Sequence, residues 1–201
     1  DAVDLLDAPV LGSVPQATEG TLKIFVGGYE AVFERWRPVL EVMGTPRHMG
    51  PLGAGAAMKL VANSTLGALM CGLAEALALA DALGLEEHAV LDILAESPIG
   101  ATTRSKRKLI ESGEYPANFK LALAAKDLRL VAEAAGQAGL ELRLAPGARA
   151  WLEQADAAGL GDLDYSAVIA AVRGRPAIAP SPTEPMRGSP PTEPMRGSPP
   201  T

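Results

Sequence analysis

The sequence predicts a small α/β segment followed by an all-α domain built round one long helix. Three observations carry this expectation. Short apolar runs bounded by Gly, Pro and Ser are confined to the first 50 residues. From Ala56 to Leu83 the chain is apolar on nearly every face, free of proline and rich in Ala and Leu, which are strong helix formers. Beyond Gly84, helical spacing continues to Val172, punctuated by Gly and Pro.

Taken in order, Leu5 to Val10 and Thr21 to Val26 read as strands. Between Tyr29 and Met43, the apolar positions Val32, Phe33, Trp36, Val39, Leu40 and Met43 recur at helical spacing. Arg47 to Gly50 reads as one more short strand, which makes a β-β-α-β unit too small to stand comfortably alone. Ala56 to Leu83 should form one helix of roughly 28 residues, about 42 Å long. A membrane span is the rival reading, but Lys59, Asn63, Glu75 and Asp81 interrupt the stretch. They leave about 15 uncharged residues between Lys59 and Glu75, short of the ~20 a bilayer demands. Burial on all sides by other helices is therefore expected. Further helices are expected at His88 to Glu96, Thr103 to Ser112, Leu121 to Gly136, Pro146 to Ala158 and Tyr165 to Val172. The residues from Pro176 to Thr201 hold 9 of the 17 prolines and almost no large apolar side chains, so they are expected to be disordered. Within them, Pro182 to Pro190 recurs residue for residue as Pro191 to Pro199. The expected divisions are 1–52, 53–175 and 176–201.

Composition narrows the function. A net charge of −6 argues against nucleic acid as the main partner, because phosphate binding needs clustered positive charge. One cysteine excludes a disulfide framework, and Cys71, His48 and His88 cannot supply the usual four N/S ligands of a structural zinc site, so no metal is expected. The N-terminus has neither the basic start nor the apolar core of a signal peptide, and a cytoplasmic protein is expected.

Gly50, Gly53 and Gly55 precede the long helix, where they let another backbone or a ligand come close. As a dinucleotide fingerprint they fit badly, since Met58 stands where the third glycine belongs. Lys59 and Asn63 are four apart and share one helix face. A buried amide beside an ammonium needs hydrogen bonds, so the pair should face a polar cleft. A lysine there has its charged form disfavoured and can act as general acid to a developing alkoxide. The alternative is that Lys59 snorkels to solvent and Asn63 is incidental. The basic run Arg104 to Lys108 reads as a solvated helix face. Cys71 reads as a small buried hydrophobe, and Glu75 and Asp81 lie too far round the helix to form a carboxylate pair.

Several motifs in order carry a resemblance: Asp7-Ala8-Pro9-Val10 and Gly12, Glu19-Gly20-Thr21-Leu22 with Val26-Gly27-Gly28, Gly50-x-x-Gly53-x-Gly55-x-x-x-Lys59-x-x-x-Asn63, and Lys126-Asp127-Leu128. They resemble the β-hydroxyacid dehydrogenases, and Leu160 to Val168 looks nearest to the glyoxylate/succinic semialdehyde reductase branch. The resemblance runs from about Leu5 to Arg173. It implies the end of a Rossmann-type NAD(P)-binding domain over 1–52 and a 6-phosphogluconate dehydrogenase-like all-α domain, for substrate and dimerisation, over 53–175. It also implies hydride transfer between NADP (or NAD) and a small carbonyl or hydroxy acid. Lys59 matches the catalytic lysine and Asn63 the asparagine that holds substrate and lysine. Leu11, Gly12 and Ser13 match the loop that cradles the substrate carboxylate. Phe119 and Asp127 match active-site lining, and Lys126 matches a lysine at the cofactor. Phe119 could equally be core, and Lys126 with Asp127 an ordinary surface pair.

The chain departs from the family at Leu11, where serine is usual and leucine can donate no hydrogen bond, and at Ser13, where glycine is usual. The family also carries a β-α-β cofactor unit ahead of Leu5 that this chain lacks, so the polypeptide alone is expected to bind nicotinamide cofactor weakly and to be inactive. Two other readings stand beside this one. The first is a non-catalytic helical module that forms a homodimer or homotetramer through the long helix. The second is an imine reductase-like enzyme, although those typically lack the lysine.

Overall fold

Strand β2 (Leu22–Gly27) alternates as a half-buried strand should, with Leu22, Ile24 and Val26 inside and Lys23 outside. In this computed structural model, which describes residues 3–179, β2 is the middle of a three-stranded sheet. It pairs antiparallel with β1 (Val10–Leu11) and parallel with β3 (Gly44–Gly50), and helix α2 (Glu30–Glu41) makes the crossover. Phe33 of α2 closes a small core over Leu22, Ile24 and Val26, flanked by Leu6, Val10 and Leu40.

Two expectations change here. The strand expected over Leu5 to Val10 shrinks to Val10–Leu11, because Pro9 has no N–H to give the ladder. Asp7 instead makes an isolated bridge to Gly27, and Pro9 only accepts, from the Phe25 amide at 2.9 Å. A helix the sequence reading did not include, α1 (Val14–Glu19), follows Ser13. The side-chain oxygen of Gln16 accepts the Ser13 amide at 2.9 Å, half of a Ser-x-x-Gln capping box.

Helix α3 (Ala54–Ala82) runs 29 residues. Its buried positions, among them Asn63, Gly67, Met70, Leu73, Ala74 and Leu77, pack on α6 (Leu121–Gln137), α7 (Leu144–Ala155) and α8 (Val168–Val172). Gly67 lets α6 approach, since a Cβ there would lie 2.7 Å from Leu128 Cδ1. The expected burial on all sides does not occur. Met58, Val61, Leu69, Leu79 and Leu83 are exposed, and at about 100° per residue they fall within roughly a quarter-turn of one another. The helix thus buries one apolar face and leaves an apolar stripe outside. By length and composition alone it could cross a membrane, but its inner face is occupied by the other helices.

Helices α4 (Glu87–Glu96) and α5 (Gly100–Ser112) form a hairpin, and α7 continues into a π turn (Asp156–Leu160). The last expected helix divides into a 3₁₀ turn (Tyr165–Ala167) and α8. Leu73, Leu77, Leu91, Leu121, Leu128, Leu152 and Ile169 make the main core. Arg173, after α8, joins Asp81 of α3 at 2.7 Å and Glu87 of α4, locking the end of the helical unit. At the start of the segment from Pro176, Ile178 exchanges backbone hydrogen bonds with Gly113 at 2.9 Å and Tyr115 at 3.4 Å. Residues 180–201, with both copies of the repeat, lie outside the described residues.

Candidate active site

The amino end of α3 is set by a residue far away in sequence. Both carboxylate oxygens of Asp7 accept backbone amides there, from Gly53 and from Ala56, each at 2.6 Å. A carboxylate at a helix N-terminus gains from the unpaired amides and the helix dipole together. Of the three glycines before the helix, Gly55 is explained by this approach, whereas Gly50 and Gly53 are set by their backbone, with φ +128° and +92°. A Cβ on Gly55 would lie 2.3 Å from the Phe25 carbonyl and 2.7 Å from Asp7, and one on Gly27 would lie 2.2 Å from Asp7. Asp7 thus fills the place a phosphate loop would offer, and the glycine run does not fit a cofactor phosphate.

One turn further along, Lys59 is half-buried and its Nζ donates to the Val10 carbonyl at 2.7 Å. The ammonium therefore points at the Pro9–Ser13 segment, not at bulk solvent. Burial lowers its pKa below the ordinary 10.5, the charge of Asp127 opposes that shift, and the charge of Lys126 adds to it. On the next turn, Asn63, only 5% exposed, donates to Asp127 at 2.6 Å, and the other oxygen of Asp127 meets Lys126 at 2.8 Å.

A cleft of about 500 Å³ opens in front of Lys59. Leu11, Gly12, Ser13, Lys59, Asn63 and Phe119 all line it, so the structure brings six of the eight expected residues together. Lys126 and Asp127 do not line this cleft. They sit behind Asn63 on α6, with Lys126 about half exposed and Asp127 largely covered. A half-exposed ammonium beside Lys59 suits an anionic group of a cofactor, which the glycine run does not. Gly12 has φ +139°, and a Cβ there would lie 2.7 Å from Leu22 Cδ2, so the loop needs glycine. The amide and hydroxyl of Ser13 both donate to Gln16. Phe119 meets Tyr165 edge-on at 5.6 Å, as part of the cleft wall and of the core margin at once.

The opposite wall holds residues the sequence reading missed. Lys106, expected on a solvated face, is turned inward, and its Nζ contacts Asp164 at 2.7 Å. Asp164 is fully buried and also accepts from Ser166 N, Ser166 Oγ, Asn118 N and Phe119 N. Elsewhere in the basic run, Arg107 pairs at the surface with Asp92 and Glu111.

Comparison with known proteins adds the family. Residues 53–172 match the family model described as NAD-binding of NADP-dependent 3-hydroxyisobutyrate dehydrogenase, and residues 1–58 match the NAD binding domain of 6-phosphogluconate dehydrogenase. Both are models of cofactor-binding domains of dehydrogenases, and together they cover the α/β segment and the long-helix all-α domain. The chain is a member of the β-hydroxyacid dehydrogenase family. It is 41% identical over 83% of its length to 2-(hydroxymethyl)glutarate dehydrogenase of Eubacterium barkeri, and 36% identical over 84% to glyoxylate/succinic semialdehyde reductase 1 of Arabidopsis thaliana. It spans 56% and 59% of those proteins. The solved 3-hydroxyisobutyrate dehydrogenase of Mycobacterium tuberculosis with L-serine superposes with a TM-score of 0.75 at 34% identity, over 84% of this chain and 60% of that one.

Proposed function

We propose that this chain forms the substrate-binding and proton-transferring part of an NAD(P)-dependent oxidoreductase that reduces a small aldehyde or keto acid, or oxidises the matching hydroxy acid. The single observation that carries the reading is the Lys59 ammonium, half-buried at the cleft wall, held by the Val10 carbonyl and with its pKa lowered by burial. During reduction Lys59 gives a proton to the carbonyl oxygen as that oxygen gains charge, and in the reverse direction the neutral amine takes the hydroxyl proton. Asn63, fixed by Asp127, orients substrate and lysine. The Leu11-Gly12-Ser13 loop and Phe119 bound the substrate, and Lys126 contacts the cofactor. NADPH or NADH, when bound, supplies the hydride. The names of the relatives, which refer to a glutarate, glyoxylate, succinic semialdehyde and 3-hydroxyisobutyrate, support a small carbonyl or hydroxy acid.

The division into 1–52, 53–175 and 176–201 belongs to the same reading, as does a cytoplasmic location. The exposed stripe on α3 supports self-association as a homodimer or homotetramer along that helix, a role that needs no catalysis. One experiment separates the two. NAD(P)H consumption is followed with small aldehyde and keto acids, using the chain alone and joined to a β-α-β cofactor segment of a family member. Lys59→Met should cut turnover about 100-fold or more while sedimentation stays unchanged. Turnover that survives the substitution overturns the catalytic reading.

A further inference from the structure

The cleft has a second cationic wall. In a protein of net charge −6, three ammonium groups, Lys23, Lys59 and Lys106, line it against one carboxylate, Asp164. Four neutral donors from Ser166, Asn118 and Phe119 also reach that carboxylate, so Lys106 is its counter-charge but not its only hydrogen-bond partner. Lys106 is 12% exposed, so its ammonium has little water to turn to. It has three N–H donors and directs one at Asp164. The Tyr165 ring lies 4.6 Å below the nitrogen and fixes its position. A desolvated ammonium with donors left over, lining a cleft that also holds Lys59, is a site for a second anion. At the loop opposite, Leu11 brings no side-chain donor, and the Ser13 amide is taken by Gln16. The carboxylate-binding capacity of this cleft is therefore weighted toward Lys106.

We infer that Lys106 is a specificity residue that holds a carboxylate distal to the reacting carbon, which makes the preferred substrate a carbonyl or hydroxy acid with its carboxylate several bonds away, or a dicarboxylate. The inference rests on the reading of Lys59 given above. Lys59 meets the oxygen that changes bond order, and Lys106 holds the far end in register.

The test is direct binding to the full 201-residue chain. Glutarate and butyrate, which differ by the far carboxylate, are titrated calorimetrically at low and high salt. Glutarate should bind at least tenfold more tightly, and the gap should narrow at high salt, as for a charge contact. Lys106→Met alone leaves Asp164 without a counter-charge and can unfold the chain, so the paired variant Lys106→Met/Asp164→Asn is measured beside it, with thermal unfolding as the check on folding. The paired variant should bind glutarate no better than butyrate, and Lys106→Arg should restore the preference. Equal binding of the two acids to the wild type, or a preference that survives in a folded paired variant, overturns the inference. If Lys59→Met weakens both acids while Lys106 changes nothing, only the Lys106 assignment falls. If neither acid binds, both readings fall.

Discussion

Asn63 of α3 and Asp127 of α6 meet at 2.6 Å, and this bond joins the helix that carries Lys59 to the helix that carries Lys126. Asp127 thereby puts a negative charge near Lys59 and offsets part of the effect of burial. Asp127→Ala removes that charge and leaves the shift from burial and from Lys126 unopposed. The pKa of Lys59 should fall further below its ordinary value, and Asn63 should lose its fixed orientation. A carbon NMR titration of the Lys59 side chain reads the first effect, and its midpoint should move to lower pH. A midpoint that stays or rises would mean that Asp127 does not act on Lys59.

Asp7 is the hinge between sheet and helix. Its two bonds to the Gly53 and Ala56 amides are charge-assisted, and bonds of that kind contribute about 1.5–3 kcal/mol each in net terms. Asp7→Ala should cost about 2 kcal/mol or more of stability, seen as a lower denaturant midpoint with an unchanged slope. Asp7→Asn, which keeps an acceptor, should lose less. Gly55→Ala should be worse than either, because its Cβ would press on the Phe25 backbone carbonyl, which cannot step aside.

These two clusters show what was legible in the sequence. The long helix, the strands near Thr21 to Val26 and Arg47 to Gly50, and the Lys59-Asn63 face follow from periodicity, local composition and i,i+4 spacing, which are local. The partners of those residues are not local. Asp7 reaches Gly53 across 46 positions, Asn63 reaches Asp127 across 64, and Lys106 reaches Asp164 across 58. Nothing in spacing tells which way a lysine in a basic run will turn, so Lys106 read as surface until the fold placed a buried carboxylate beside it. For α1 a local signal did exist in Ser13 and Gln16, three apart and followed by Gly20 with φ +66°. The outer stripe of α3 was hidden for a different reason. Both of its faces are apolar, so composition could not say which one the core would take.

Arg173 ties the end of the helical unit to α3 and α4, and its hydrogen bond is the largest cause holding Asp81 below the usual carboxylate pKa, with Arg175 adding to it. A carboxylate whose folded pKa is depressed stabilises the fold fully above its unfolded value, near 3.8, and that contribution disappears as the pH falls through the folded pKa. Stability should therefore decline with acid from just above pH 3.8 downward. Arg173→Met should lower stability at neutral pH and flatten this acid slope. Thermal midpoints measured across the acid range check both, and an unchanged slope in the variant would assign the acid loss to other carboxylates.

Cys71 bears on how tightly α3 and α7 stay closed. Its side chain is 4% exposed, its Sγ lies 3.6 Å from the Ala148 carbonyl, and burial with the nearby charge of Glu75 pushes its pKa up to about 12. A thiol held so far from ionisation presents almost no thiolate at neutral pH, and its reagent must also enter a packed helix pair. Labelling by a charged disulfide reagent should therefore wait for α7 to part from α3, with a rate set by that opening and rising steeply with denaturant. Removing the negative charge with Glu75→Ala also removes the acceptor for the Trp151 indole N–H, now bound at 2.8 Å, so the variant should open more often and label faster even though its thiol pKa is lower. Cys71→Ala, which keeps a small apolar group, should leave turnover unchanged and cost only the packing of one sulfur. Fast labelling of the native wild-type chain, independent of denaturant, would show that the α3–α7 contact opens freely and that Cys71 is not part of a closed core.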